Sequence, residues 1–271
     1  MASSSDPTAP LVVMISGPSG SGKTTLATAL VAKGAPGSVL LKQDDYFSRY
    51  PFIPYEERVD DRYETPEGID FARLVADTKA AVAAAQTPPA ATGEIPRRLV
   101  VVEGHLVACN EELVALCECC LFVQASVDDC VERRCNRRSR PAEEVAVLRK
   151  YFEDYVWPAY ITHGAPALVE LAGQRGTSTV LWLDAVANDH MQLEAMGAAF
   201  IASQGGDEME AEAVAAAALV AHKRSIDEAG GDDAGGGKKS KGSDDPETEA
   251  AQRRAEAAAA EAAAAQAQAA C

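Results

Sequence analysis

The stretch that decides the fold is Gly17-Pro-Ser-Gly-Ser-Gly-Lys23-Thr24, which fits the pattern G-x-x-x-x-G-K-[ST]. An apolar run at residues 11–15 precedes it, and a segment with apolar residues at helical spacing follows it. In a strand–loop–helix unit of this kind, glycines let successive backbone N–H groups point at an anion. The pattern therefore predicts a loop that cradles nucleotide phosphates, with a chance glycine- and serine-rich turn as the alternative.

Two side chains of this loop have predictable chemistry. Lys23 adds a positive charge for the β- and γ-phosphates, and the Thr24 hydroxyl is a ligand for Mg²⁺. We therefore expect the protein to use ATP and Mg²⁺. The residues expected to bind the nucleotide are Gly17, Ser19, Gly20, Ser21, Gly22, Lys23, Thr24 and Thr25.

The composition of the 271 residues changes sharply near residue 205. Beyond it the chain is rich in alanine, glycine and charged residues and has almost no large apolar side chains, so it cannot bury enough surface to fold as a globular unit. We expect a flexible N-terminus at 1–10, one folded domain at 11–204, and a low-complexity, disordered tail at 205–271.

The charge balance limits the classes of partner. A net charge of −16 argues against sequence-independent binding of nucleic acid, while small phosphorylated ligands remain compatible. The sequence has no apolar run of 18 residues and no secretory signal pattern, which predicts a cytoplasmic protein with no membrane contact. Lys223-Arg224 and the later Lys238-Lys-Ser-Lys241 have the spacing of a bipartite nuclear signal, but the composition favours a solvated low-complexity tail. Protein partners are not indicated.

The seven cysteines do not form a recognisable framework. Their number is odd, and Cys117, Cys119 and Cys120 lack the second pair of ligands that a zinc site needs. We expect buried, reduced thiols.

Short apolar runs alternate with segments of helical periodicity. The predicted strands are residues 11–15, 39–41, 99–102, 121–123 and 180–183. Asp70, Asn110 and Ser126 stand where helix N-caps belong, and helices are predicted after each, with a further helix from residue 142 to about residue 160. This alternation is typical of an α/β fold with a parallel sheet flanked by helices, in which ligands bind beyond the carboxyl ends of the strands.

Three carboxylates follow predicted strands. Asp44 and Asp45 come after the second strand, where a carboxylate can accept the proton of an attacking hydroxyl or serve as a helix cap. Glu103 ends the third strand, the position of an acid that holds Mg²⁺ in phosphate-loop proteins.

Two further segments are candidate binding elements. The loop at 50–68 is long and contains Tyr55, Tyr63 and Glu64. The two tyrosine rings can stack on a flat ligand or anchor the packing. The stretch from Glu132 to Arg140 carries five arginines, with Arg133, Arg137 and Arg140 on one predicted helix face. It predicts a helical lid that clamps a transferring phosphoryl group, with a solvated, ion-paired helix face as the alternative.

Taken together, the chain resembles the uridine kinase-like branch of phosphate-loop kinases, and most closely the nicotinamide riboside kinases. The similarity spans residues 12–184 and rests on GPSGSGKTTL, QDDYF, RYETPEGIDF, VVVEG, RRCNRR and YVWPAY. The double Asp of QDDYF and the segment at 155–160 favour the nicotinamide riboside type.

The resemblance implies a role for each matched residue. Asp44 would act as general base on the ribose 5′-hydroxyl, assisted by Lys23 and by Arg137, while Thr24 and Glu103 would handle Mg²⁺. The remaining assignments are Tyr63 stacking on the base, Glu64, Asp45 and Arg134 at the acceptor nucleoside, and Arg133 at the phosphates. Glu64 stands where the family has Asp, so ribose positioning differs by one methylene.

The implied activity is ATP-dependent phosphorylation of a nucleoside, with nicotinamide riboside as the expected acceptor. Alternatives within enzymes are a uridine/cytidine kinase and a phosphoribulokinase-like sugar-phosphate kinase. A regulatory nucleotide-binding protein with no small-molecule acceptor is the alternative from another class.

Overall fold

The structure is a computed structural model, and it describes residues 9–47, 53–54, 57–85, 94–176 and 178–204. The expectations for Tyr55, for the first eight residues, for the tail at 205–271 and for its basic clusters therefore lie outside the described residues. Within the described ranges, no helix combines the length and the apolar character needed to cross a membrane.

The described residues contain one five-stranded sheet, in which every pair of neighbouring strands is parallel. Its order is β2-β3-β1-β4-β5, so β1 lies at the centre. The bounds are β1 Leu11–Ser16, β2 Val39–Lys42, β3 Leu99–Gly104, β4 Cys119–Gln124 and β5 Val180–Asp184. All five predicted strands are confirmed, each extended by one to three residues.

The helices begin at the caps that the sequence indicates. Asp70, Asn110 and Ser126 each accept a hydrogen bond from a backbone N–H three residues further on. Gly34 ends the helix after the phosphate loop, with its N–H bonded to the carbonyls of Leu30 and Val31. The bounds are α1 Lys23–Lys33, α2 Phe71–Ala84, α3 Glu111–Leu116, α4 Val127–Asn136, α5 Ala142–Tyr151, α6 Trp157–Ala159, α7 Ala165–Arg175 and α8 His190–Ser203.

The helix predicted to end near residue 160 instead continues to Arg175. Two π-helical turns, Phe152–Val156 and Tyr160–Gly164, join α5, α6 and α7 without a break. Pro158 and Pro166 each follow one of these turns, in the first positions of α6 and α7. A proline lacks the N–H that an inner helical position needs, and a widened turn is one place where the helix tolerates that loss.

Each face of the sheet carries its own apolar cluster. On one face Val13 and Ile15 pack against Leu30 of α1 and Phe200 of α8. On the other, Met14 and its neighbours pack against side chains of α2, α3, α5 and α7, with Phe122 and Phe152 among the largest buried residues. Covered on both faces, the sheet presents its chemistry only at the carboxyl ends of the strands.

Candidate active site

The loop after β1 has the shape that its glycines predict. Gly20 and Gly22 have φ of 92° and 96°, which is the left-handed region. A Cβ on Gly20 would also lie 2.9 Å from the Cα of Cys130 in α4. The loop therefore turns tightly and packs directly on α4, which only glycine permits at this position.

Polar groups inside the loop point to an anion. Lys23 is 8% exposed, and its Nζ donates to the carbonyl of Pro18 at 3.3 Å. The Ser21 hydroxyl is buried with no hydrogen-bond partner among the described residues. A buried hydroxyl without a partner is costly, and an anion seated in the loop would satisfy it.

Thr24 and Glu103 meet at the end of the sheet. The Thr24 hydroxyl donates to Glu103 Oε1 at 2.9 Å. Burial raises the pKa of Glu103, and Lys23 opposes this rise. Two hard oxygen donors beside a phosphate loop fit Mg²⁺, which takes few protein ligands and completes its shell with phosphate and water. In the described ranges no set of three or more His, Cys, Asp or Glu side chains could hold a metal by itself.

Asp44 lies on the short 3-10 turn Gln43–Tyr46 that follows β2. The residues on either side of the aspartate pair are fixed, because Gln43 is fully buried and the Tyr46 hydroxyl donates to Asp77 of α2 at 2.9 Å. Asp44 and Asp45 are both exposed, but only Asp44 lines the cleft. The turn thus directs one of the two candidate carboxylates toward the phosphate loop.

Glu64 is a buried carboxylate that lines the same cleft. It is 6% exposed, and it accepts a hydrogen bond from the Tyr151 hydroxyl at 3.1 Å. The guanidinium of Arg58 lies 3.7 Å from the same carboxylate oxygen. Burial raises the pKa of Glu64, while Arg134, Tyr151 and Arg58 favour its ionised form. Such a carboxylate is a fixed hydrogen-bond acceptor inside the site.

Tyr63 also lines the cleft and is 6% exposed. The guanidinium of Arg58 lies 4.4 Å from its ring centroid and 5.4 Å from that of Tyr151. One face of Tyr63 is therefore already covered by a cation, which restricts where a ligand ring can stack.

The arginines after β4 divide into two groups. Arg133 donates to the Ala185 carbonyl at 2.6 Å and to the Ser21 carbonyl at 3.4 Å, and Arg134 donates to the Ser19 hydroxyl at 2.5 Å. Both line the cleft together with Arg137. The basic helix α4 thus rests on the phosphate loop.

The predicted stripe of Arg133, Arg137 and Arg140 is wrong, because α4 ends at Asn136. The guanidinium of Arg140 turns back and donates to the carbonyls of Arg134 and Cys135. Carbonyls in the last turn of a helix lack intrahelical partners, and a cation there is favoured by the helix dipole. Arg140 therefore serves the helix terminus, while Glu132 pairs with Arg149 of α5 at 2.7 Å.

These side chains surround one cleft of about 510 Å³. Among the described residues, its lining includes most of the expected site: Ser19, Gly20, Gly22, Lys23, Thr24, Thr25, Asp44, Tyr63, Glu64, Glu103, Arg133, Arg134 and Arg137. The expected residues Gly17, Ser21 and Asp45 are not part of that lining. The cysteines at 117, 119 and 120 are buried and free, as expected, and they are not part of the cleft lining.

Sequence reasoning missed four members of the site. Phe47, Arg58 and His105 line the cleft, and Tyr151 supports Glu64 from α5. His105 had a usable signal, because it follows β3 directly after Glu103 and Gly104 at the edge where ligands bind. Nothing in the sequence pairs Tyr151 with Glu64, since 87 residues separate them.

His105 is held in one orientation. It is 5% exposed, and its Nδ1 lies 3.1 Å from the amide nitrogen of Gln43. The Gln43 carbonyl oxygen accepts from the Leu106 N–H at 2.8 Å, which fixes the amide nitrogen as the donor to His105. Burial, and then Lys23, lower the pKa of His105, so the ring is neutral with its proton on Nε2.

A phosphate loop with its lysine, an acid at the end of β3 and arginines from a basic helix around the same cleft define a P-loop kinase, a phosphotransferase. The phosphate-loop end of the cleft fits a nucleoside triphosphate, because Lys23, the glycine loop and the Ser21 hydroxyl, which has no partner among the described residues, all suit phosphate oxygens.

Comparison with known proteins identifies the family of this chain. The uridine kinase of Bacillus cereus (strain AH187) is 30% identical over 172 residues, which cover 55% of this chain and 81% of that protein. The uridine kinase of Deinococcus deserti is 29% identical over 172 residues, covering 58% and 83%. Residues 2–86 also match the family described as Zeta toxin. The chain belongs to the uridine kinase family of P-loop kinases.

Among solved structures, a sugar kinase from Janibacter sp. HTCC2649 covers 73% of this chain and 99% of its own. It is 16% identical, with a TM-score of 0.38, which is too distant a likeness to bear on substrate.

Proposed function

We propose that the protein transfers the γ-phosphoryl group of ATP to the ribose 5′-hydroxyl of nicotinamide riboside, forming nicotinamide mononucleotide. The observation that carries this is the arrangement of carboxylates and rings at the acceptor end of the cleft, where Asp44 and Glu64 lie with Phe47 and Tyr63. The pyridinium of nicotinamide riboside is cationic and is favoured by carboxylates and aromatic faces.

In the proposed reaction the 5′-oxygen attacks the γ-phosphorus while Asp44 takes the hydroxyl proton. The bond between the γ-phosphorus and the bridging oxygen breaks, and ADP leaves with that oxygen. Lys23, Arg133 and Arg137 neutralise the charge on the transferring group, so catalysis is mostly positioning and electrostatic stabilisation. Thr24 and Glu103 would hold Mg²⁺, which supplies further charge neutralisation when bound.

Uridine is a second candidate acceptor. The relatives reported above are uridine kinases, which supports this acceptor. Arg58 supports it too, because its guanidinium over the Tyr63 ring places a positive charge where a cationic base would otherwise stack. Uracil is neutral and carries no such penalty.

One assay separates the candidates. ADP release is measured with nicotinamide riboside, uridine, cytidine and ribulose 5-phosphate, each with ATP and Mg²⁺. We expect the highest kcat/KM with nicotinamide riboside, and a higher value with uridine would favour the second candidate. ADP release that is slow and independent of every acceptor would exclude both and indicate a regulatory nucleotide-binding protein.

Two neighbouring variants test the base. Asp44→Asn is expected to lower kcat by about 10²- to 10⁴-fold, the usual contribution of a general base, with little change in Tm because the side chain is exposed. Asp45→Asn serves as the matched control and is expected to keep kcat. Equal kcat in the two variants would remove Asp44 as the base.

A further inference from the structure

The His105 ring has an unsatisfied donor inside the cleft. With Nδ1 accepting from Gln43, the ring proton is on Nε2, and Nε2 has no hydrogen-bond partner within the part of the chain that the structure describes. An N–H left unpaired in a buried site is destabilising. A ligand atom that accepts from it would offset this destabilisation.

The position of this donor is fixed from several sides. Gly104 leaves room for the Gln43 amide, because a Cβ there would overlap the Gln43 side chain. Gly164, in a π-helical turn, packs so closely that a Cβ on it would lie 2.6 Å from the His105 carbonyl oxygen. The ring therefore projects from a rigid base, as a group that orients a substrate must.

The carboxylate of Glu64 lies close to this donor. His105 Nε2 lies 3.5 Å from Glu64 Oε2, too far for a good hydrogen bond between them. One oxygen atom can nevertheless lie at about 2.8 Å from both. A hydroxyl is both a donor and an acceptor, so it matches a carboxylate beside an N–H.

We propose that His105 Nε2–H donates to the same sugar hydroxyl of the acceptor nucleoside that donates to Glu64, so that His105 positions the sugar and selects for that hydroxyl. The inference rests on the proposed nucleoside phosphorylation and adds a specificity-determining residue to it. His105 takes no part in proton transfer.

The test combines variants of the residue with deletions on the substrate. Uridine, 2′-deoxyuridine and 3′-deoxyuridine are compared as acceptors, with cytidine and nicotinamide riboside alongside. His105→Phe removes the donor and keeps a ring, while His105→Gln places an amide N–H near the position of Nε2. His190→Gln, an exposed histidine at the start of α8, is the matched control.

We expect His105→Phe to lower kcat/KM for the ribonucleoside about tenfold, the effect of removing one hydrogen bond, with the KM for ATP unchanged. For the deoxynucleoside that lacks the contacted hydroxyl, kcat/KM should already be low in the wild type, and His105→Phe should lower it by less than about twofold further. That substrate cannot form the hydrogen bond to His105, so the substitution removes nothing from it. His105→Gln should recover most of the loss, and His190→Gln should match the wild type.

Equal losses with uridine and with both deoxynucleosides would overturn the inference, because His105 would then act without touching either hydroxyl. A loss confined to the KM for ATP, or no loss at all, would also overturn it. Failure of the wild type on every nucleoside would instead refute the proposed function, so the two failures are distinguishable.

Discussion

Removing the Tyr151 hydroxyl should change the pH dependence of the enzyme without touching the substrate. This hydroxyl donates to Glu64 Oε1 at 3.1 Å from α5 and favours the ionised carboxylate. In Tyr151→Phe the pKa of Glu64, already raised by burial, should rise further. Arg58 and Arg134 remain beside the carboxylate and partly compensate, while Asp44 and the neutral His105 are unchanged.

The size of the shift follows from the hydrogen bond that the substitution removes. A hydrogen bond to a charged group contributes about 1.5–3 kcal/mol, and one pKa unit corresponds to about 1.4 kcal/mol. With two guanidiniums still in place, we expect kcat/KM at pH values below the acidic limb to fall about tenfold relative to the wild type, the factor that corresponds to about 1.4 kcal/mol. Because the ionised carboxylate is the form that accepts from the substrate hydroxyl, activity is lost as the pH falls through this pKa, and the acidic limb moves to higher pH.

The assay is the pH profile of kcat/KM for the preferred nucleoside, which reports groups of the free enzyme. Tyr155→Phe is the matched control, since Tyr155 lies one turn further along, and its hydroxyl donates to the Val59 carbonyl. An acidic limb that coincides in Tyr151→Phe and wild type, or that moves equally in Tyr155→Phe, would refute the role assigned to Glu64.

Two further predictions concern the phosphate loop and the tail. Gly20→Ala should weaken ATP binding by about tenfold or more in calorimetry. The left-handed φ costs a residue with a Cβ about 1–2 kcal/mol, and this Cβ would overlap Cys130. Gly173→Ala is the control that should bind ATP normally, since a Cβ on Gly173 of α7 would meet open space. Comparable affinities in the two variants would contradict this. Truncation after Gln204 should leave kcat and KM unchanged, as the cleft is lined by residues 19–137; a loss of activity would assign the tail a role.

The sheet and the phosphate loop were predictable because local sequence determines them. A buried parallel strand reads as an apolar run, and the glycines with Lys23 and Thr24 form one continuous signature. The continuation of the helix to Arg175 was not predictable, since Pro158 and Pro166 indicate breaks and only tertiary packing sustains π turns beside them.

The same distinction applies to the site. Asp44 and Glu103 follow strands directly, so their placement at one edge follows from the fold class. The orientation of His105 depends on Gln43, 62 residues away, and the coverage of Tyr63 by Arg58 depends on rotamers. Contacts of this kind leave no pattern along the chain.

The order of the strands separates the two halves of the chemistry. The central β1 carries the phosphate loop, β2 and β3 on one flank end in Asp44 and His105, and β4 on the other leads into the arginines of α4. Changes at Asp44, Tyr63, Glu64 or His105 are therefore expected to alter which alcohol is phosphorylated while Lys23, Thr24 and Glu103 stay as they are. An engineer seeking a new acceptor has a bounded segment in which to diversify, and the opposite flank can be left as it is.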